Sequence, residues 1–219
     1  MKVKFSGWRE GAKFYIPAVA IGVGICAWAA FSDYGAWGAF ALAPGLFMVN
    51  FFRDPPRRIS AEPRDVVSPA DGKITAVEEL ESTQWYSGRC VRISVFLSVF
   101  NVHVNRSPAE AKILKIEHRD GLYKNAMAPD SADVNESNTL WLETPHGPMT
   151  VRQISGLIAR RIVCPAQVGE GLTKGEKFGM IRFGSRTDLY LPRGAEVLVR
   201  PGDTVRGGSS VVAHCERKG

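Results

Sequence analysis

The chain has 219 residues, 45% of them from the apolar and aromatic set, which is enough for one core, or a small core with a membrane anchor, and excludes disorder. Its formal charge of +6 is spread, with +2 in residues 1–52 and +4 in 53–219, so no like-charged block suggests a nucleic-acid partner; a basic chain with an apolar start suits an anionic membrane surface. Cys26, Cys90, Cys164 and Cys215 are too scattered for a zinc site or a dense disulfide framework and read as small buried residues in a reducing compartment.

Two uncharged apolar stretches come first, Tyr15–Phe31 and Gly35–Phe52, parted by Ser32-Asp33-Tyr34. As helices, each reaches about 26 Å, close to the minimum for crossing a hydrocarbon core. Together they predict an α-helical membrane hairpin over residues 1–52. Basic residues flank its outer ends (Lys2, Lys4, Arg9 and Lys13 before; Arg53, Arg57 and Arg58 after) while the turn carries only Asp33, so both ends are expected in the cytoplasm. Gly22, Cys26 and Ala30 on one segment and Gly35, Ala39 and Ala43 on the other predict small-residue faces for close packing. The competing readings are a secretory signal ending at Ala27-Trp28-Ala29 and a buried hairpin of a soluble protein.

From Arg53 the texture becomes charged, with Pro, Gly and short β-branched runs: 66–67, 73–77, 91–100, 113–118, 139–143, 149–154, 177–183, 188–191, 196–199 and 210–214. These predict a mainly β domain, sandwich- or barrel-like, over residues 53–219. Within it, VFLSVFNVHVNRSP (95–108) reads as an apolar strand delivering His103, Asn105 and Arg106 on one face. Asp71 lies in Ser68-Pro69-Ala70-Asp71-Gly72, where a turn-former is the ordinary reading. Arg160 and Arg161 are either a solvated face or a phosphate or carboxylate site. Gly184-Ser185 falls between two predicted strands and on its own would be a hairpin turn; without G-x-S-x-G it is no nucleophile elbow.

The double apolar start, SPADGKI (68–74), FLSVFNVHVNRSP (96–108), QISGLIARRI (153–162) and FGSRTDLYLP (183–192), in this order, resemble the short-form phosphatidylserine decarboxylases over essentially the whole chain. The resemblance implies a proenzyme that cuts itself between Gly184 and Ser185 into a β chain, 1–184, and an α chain, 185–219, which stay associated. The Ser185 hydroxyl attacks the Gly184 carbonyl to give an ester; loss of the Ser185 Hα expels the Gly184 carboxylate, and the dehydroalanine left hydrolyses to a pyruvoyl group and ammonia. That carbonyl is the electron sink that decarboxylation at Cα requires, and no metal is expected. The resemblance places an Asp–His pair beside the serine, here Asp71 and His103, with His103 also the first choice for reprotonating Cα. Larger relatives carry a second histidine where Arg106 stands, which leaves the division of His103's labour open. Asn105, Arg106, Arg160, Arg161 and Arg186 are candidates for the lipid headgroup, Arg106 foremost. Phosphatidylserine and membrane lipids are the expected partners, with a homo-oligomer open, at the cytoplasmic side of the cell membrane. The rival readings are a membrane-anchored biotinyl- or lipoyl-like carrier, suggested by PGDTVRGGSSVVA (201–213) but lacking a lysine displayed at a hairpin tip, and a membrane-bound serine hydrolase.

Overall fold

The computed structural model describes residues 5–32, 35–60, 62–122, 134–156, 161–182 and 185–216. Two compact units result, one of residues 6–55 and one of 56–219 together with the first five residues.

In the first unit, helix α1 (Gly7–Ala29) is long and apolar enough to cross a membrane, with a mean hydropathy of 1.5. It starts eight residues before the uncharged stretch, because Trp8 to Phe14 continue the helical pattern with charge at Arg9, Glu10 and Lys13. The second stretch is not one α-helix. It comprises α2 (Gly35–Gly38), a 3-10 turn (Ala39–Leu42) and α3 (Ala43–Phe51), the last beginning around Pro44, which fits only the first turn of a helix. Small residues do bring the helices together, but the phase differs from the expected Gly35/Ala39/Ala43 face. The Cys26 thiol donates to the Gly38 carbonyl at 2.9 Å, and a Cβ added at Gly22, Gly38 or Gly45 would meet Ala41, Ala29 or Val19 within 3.0 Å. The tighter 3-10 turn rotates the face that follows it.

The second unit is mainly β, as expected. Its strands are β1 (Asp65–Val67), β2 (Gly72–Leu80), β3 (Cys90–Leu97), β4 (Val104–Arg106), β5 (Ala111–Arg119), β6 (Ser137–Thr144), β7 (Gly147–Ser155), β8 (Arg161–Val163), β9 (Gly171–Leu172), β10 (Lys177–Arg182), β11 (Ser185–Pro192), β12 (Glu196–Val197), β13 (Thr204–Val205) and β14 (Val211–His214). One sheet of eight strands runs β13-β2-β3-β11-β7-β6-β5-β9, and two three-stranded sheets run β4-β10-β8 and β1-β14-β12. Odd residues of β3, β7 and β11 (Ile93, Val95, Leu97; Met149, Val151; Leu189, Leu191) and Leu140 and Leu142 of β6 share one core. At Gly72 β2 crosses so near β3 that a Cβ would lie 2.1 Å from the Phe96 carbonyl oxygen, so only glycine fits.

Two expectations change here. The apolar run 91–100 stops being strand at Leu97, where a turn closed by Asn101 N–H to Ser98 O, and by Asn101 Oδ1 accepting from the Ser98 N–H and hydroxyl, redirects the chain into β4. Second, β10 and β11 belong to different sheets, so they are not the two arms of a hairpin. Phe183 and Gly184 themselves lie outside the described residues.

Candidate active site

Along the core face of the large sheet, side chains turn from apolar to polar towards the start of β11. In register, Ser185 stands between Leu97 of β3 and Ser155 of β7, and Thr187 between Val95 and Gln153. The alternation that buries Leu189 and Leu191 therefore buries Ser185 and Thr187 on the same side. There a chain of hydrogen bonds through three amides ends on Thr187 and links four strands. Asn138 of β6 donates to Gln153 Oε1 at 2.9 Å, Gln153 donates to Asn105 Oδ1 at 2.8 Å, and Asn105 donates to Thr187 Oγ1 at 3.1 Å. Buried polar groups in such a chain specify one arrangement because each satisfies the next.

Ser185 is fully buried, and its Oγ makes no hydrogen bond with any described residue. A buried hydroxyl left unmatched is costly, and the Ser155 hydroxyl directly across on β7 is unmatched among the described residues as well, so this end of the sheet holds two open polar groups side by side.

His103 is fully buried and its Nδ1 lies 2.9 Å from the Asn101 carbonyl. A carbonyl only accepts, so Nδ1 carries the proton and in the neutral ring Nε2 keeps its lone pair. The 68–72 loop is fixed through its backbone: Pro69 O accepts the Arg106 N–H at 2.9 Å, and Ser68 O accepts that of Gly208 at 2.8 Å. Asp71 at its end is not held by His103. Its Oδ2 takes Arg57 Nη2 at 2.7 Å and its Oδ1 takes the Gly207 N–H at 2.8 Å. Burial pushes the Asp71 carboxyl above the usual carboxylate range, and Arg57 and the Gly207 N–H oppose that shift without cancelling it.

The structure separates the arginine candidates. Arg106 does not share a face with Asn105, its neighbour on β4: Asn105 turns to Thr187 and Gln153, while Arg106 Nη1 donates to the Gly175 carbonyl at 3.1 Å. Arg186 points to the sheet face opposite Ser185, where Nε and Nη2 grip Asp188 at 2.7 Å each. A bidentate buried pair of this kind leaves that guanidinium committed. Arg161 is exposed at the start of β8, directly across from Arg182 on β10, and Arg160 lies outside the described residues. Among the described residues no three His, Cys, Asp or Glu side chains group to hold a metal ion.

Sequence reading did not single out Gln153, Asn138, Thr187 or Ser155. A signal existed: in β7 and β11 these polar residues occupy the core phase of the alternation. Arg57 carried no signal beyond its place among the basic residues flanking the apolar segment.

The family model for phosphatidylserine decarboxylase matches residues 45–213. Phosphatidylserine decarboxylase proenzymes of Burkholderia ambifaria (strain MC40-6) and Burkholderia multivorans are 42% and 43% identical to the chain over 211 residues, which is 95% of this chain and 96% of each relative. Similarity of this extent, covering the polar end of the sheet as well as the helical unit, shows that the chain belongs to the phosphatidylserine decarboxylase family and is a decarboxylase.

Proposed function

We propose that the chain cuts itself between Gly184 and Ser185 and, with a pyruvoyl group formed from Ser185, decarboxylates phosphatidylserine to phosphatidylethanolamine. The observation that carries this reading is the buried, unmatched Ser185 hydroxyl at the polar end of the sheet. A serine there has a donor proton that the described residues leave unused; conversion to pyruvoyl removes that donor, so the residues present fit the group. When formed, its carbonyl supplies the electron sink for the pair left on Cα as carbon dioxide departs.

The chain's own residues supply the rest. His103, with Nδ1–H tied to Asn101, presents Nε2 as the base that takes the Ser185 proton in self-cleavage and as the acid that returns one to Cα. Asp71 fixes the loop whose Pro69 carbonyl holds Arg106, and its negative charge favours the imidazolium formed on His103. The Asn138–Gln153–Asn105–Thr187 chain sets the position of β11 beside Ser185. With Arg186 committed to Asp188 and Arg106 to Gly175, exposed Arg161 is the remaining described arginine among the headgroup candidates, and it stands across from Arg182 on β10. The helical unit keeps the domain at the cytoplasmic face of the cell membrane, with acyl chains left in the bilayer.

Intact-mass analysis tests the reading, followed by borohydride reduction in the presence of the substrate amine. Two chains meeting at 184/185, with the smaller blocked at its N-terminus and gaining substrate mass, are expected. A single uncut chain that decarboxylates the lipid would refute the pyruvoyl mechanism.

A further inference from the structure

The Asp71 carboxylate meets an arginine from a segment with no motif of its own. Arg57 lies on the strap that opens the β domain, and the ion pair it makes with Asp71 at 2.7 Å leaves the two side chains only 10% and 12% exposed. The strap itself is held down. Ile59 packs where a Cβ on Gly175 or Gly208 would stand, 2.4 Å and 3.1 Å from its Cδ1, and the Ser60 hydroxyl bonds Asp65. On its other side Asp71 meets the Gly207 N–H, in a turn so close that a Cβ on Gly207 would lie 3.3 Å from Oδ1. Both carboxylate oxygens are thus assigned, and one of the two assignments is Arg57.

We propose that Arg57 is a positioning residue for self-cleavage, acting through Asp71. The inference rests on the role given to Asp71 under the proposed function. The charged groups facing Asp71 are Arg57 from the strap and Arg106 from β4, whose guanidinium is engaged with the Gly175 carbonyl; Arg206 on the neighbouring turn is exposed. Arg57 is the one that touches the carboxylate, so it both fixes the rotamer and favours the ionised form against burial. Without it the carboxyl protonates at higher pH. If maturation needs ionised Asp71, the acid limb of the maturation rate moves to higher pH by the same amount.

The experiment uses full-length proenzyme made by cell-free translation into detergent or vesicles, with the cut fraction followed by intact mass from pH 5 to 8. Arg57→Gln is expected to slow cutting at pH 6 about tenfold and to move the acid limb up by about one pH unit. Arg57→Lys should recover most of the wild-type limb. If Arg57→Gln does not fold, Arg57→Met, which retains packing by the stem and removes the charge, gives the same measurement. An acid limb unchanged in the charge-free variant overturns the proposal. Asp71→Asn separates the two failures: normal cutting in that variant removes Asp71 from the mechanism and Arg57 with it, whereas arrest by Asp71→Asn beside an unmoved limb in the Arg57 variant removes Arg57 alone.

Discussion

The amide chain beside Ser185 can be broken at its middle without opening a cavity. Gln153→Met keeps the length of the side chain and removes both of its bonds, to Asn105 Oδ1 at 2.8 Å and from Asn138 Nδ2 at 2.9 Å. Gln153 is fully buried and the methionine fills its volume, so water has no space in which to replace either partner. Each orphaned group costs about 1–3 kcal/mol, so the pair costs about 4 kcal/mol, a large share of a total stability of about 5–15 kcal/mol. The measurement is urea unfolding of the detergent-solubilised full chain in a Ser185→Ala background, where no cut complicates the transition. With a slope of about 2 kcal/mol per molar urea, the midpoint should fall by about 2 M. A second arm, Asn138→Ala alone and with Gln153→Met, should show the two changes coupled by about 1 kcal/mol or more. A midpoint lowered by less than about 0.25 M, or strict additivity of the two changes, would show that the amides do not act as one chain and that Thr187 is held by something else.

Ser185→Ala should give one full-length chain by intact mass, with no decarboxylase activity; cutting at the same bond in that variant would remove Ser185 from its role. Arg161→Ala should raise KM for phosphatidylserine about tenfold with little change in kcat, since a charged hydrogen bond to a headgroup is worth about 1.5–3 kcal/mol; an unchanged KM in a steady-state assay sinks the headgroup assignment. Gly72→Ala should destabilise by about 3 kcal/mol, because its Cβ would sit 2.1 Å from a backbone oxygen that cannot yield, and thermal unfolding in the Ser185→Ala background measures it. Burial pushes the Cys215 thiol up to about 11, so iodoacetamide at pH 8 should leave it unmodified in the folded protein, with peptide mapping as the readout.

How much of this was legible in the sequence depended on the scale of the signal. The long strands were visible because Val, Ile and Leu recur with period two, as in β3, β5, β6 and β7. Of the short ones, β1 and β12 fell in the runs 66–67 and 196–199, whereas β8, β9 and β13 did not, since two or three residues cannot display a period and no longer β-branched run marked them. The break after Leu97 escaped because Ser98 to Val102 continues an apolar run; the turn depends on the Asn101 side chain folding back on Ser98, which hydropathy does not register. Ser185, His103 and Asp71 became candidates through the family resemblance. The identity of Asp71's partner was not, because Arg57 meets it through a tertiary contact across fourteen positions and any basic residue before a β domain looks the same in one dimension. Gln153 and Thr187 were readable in principle, as polar residues in a core phase, but only once the two strands were known to be neighbours.

The position of β11 in the large sheet sets an order of events. Strand β11 is an inner strand, paired on one side with β3 and on the other with β7, while β13 lies on β2 and β14 on β1. Everything from Ser185 onward is therefore interleaved with the earlier part of the chain, and a scission before Ser185 leaves a short fragment whose every long pairing is intermolecular. That fragment has no core of its own to find. Under the proposed cut, folding must precede scission, and once the cut enzyme is denatured its two pieces would have to meet again as separate molecules, at a concentration-dependent rate and against aggregation of the exposed sheet edges. The native state of a chain cut there would then be held by its unfolding barrier and be the record of a connection that no longer exists; thermal unfolding, followed by circular dichroism, should be irreversible for the cut form and reversible for a Ser185→Ala chain.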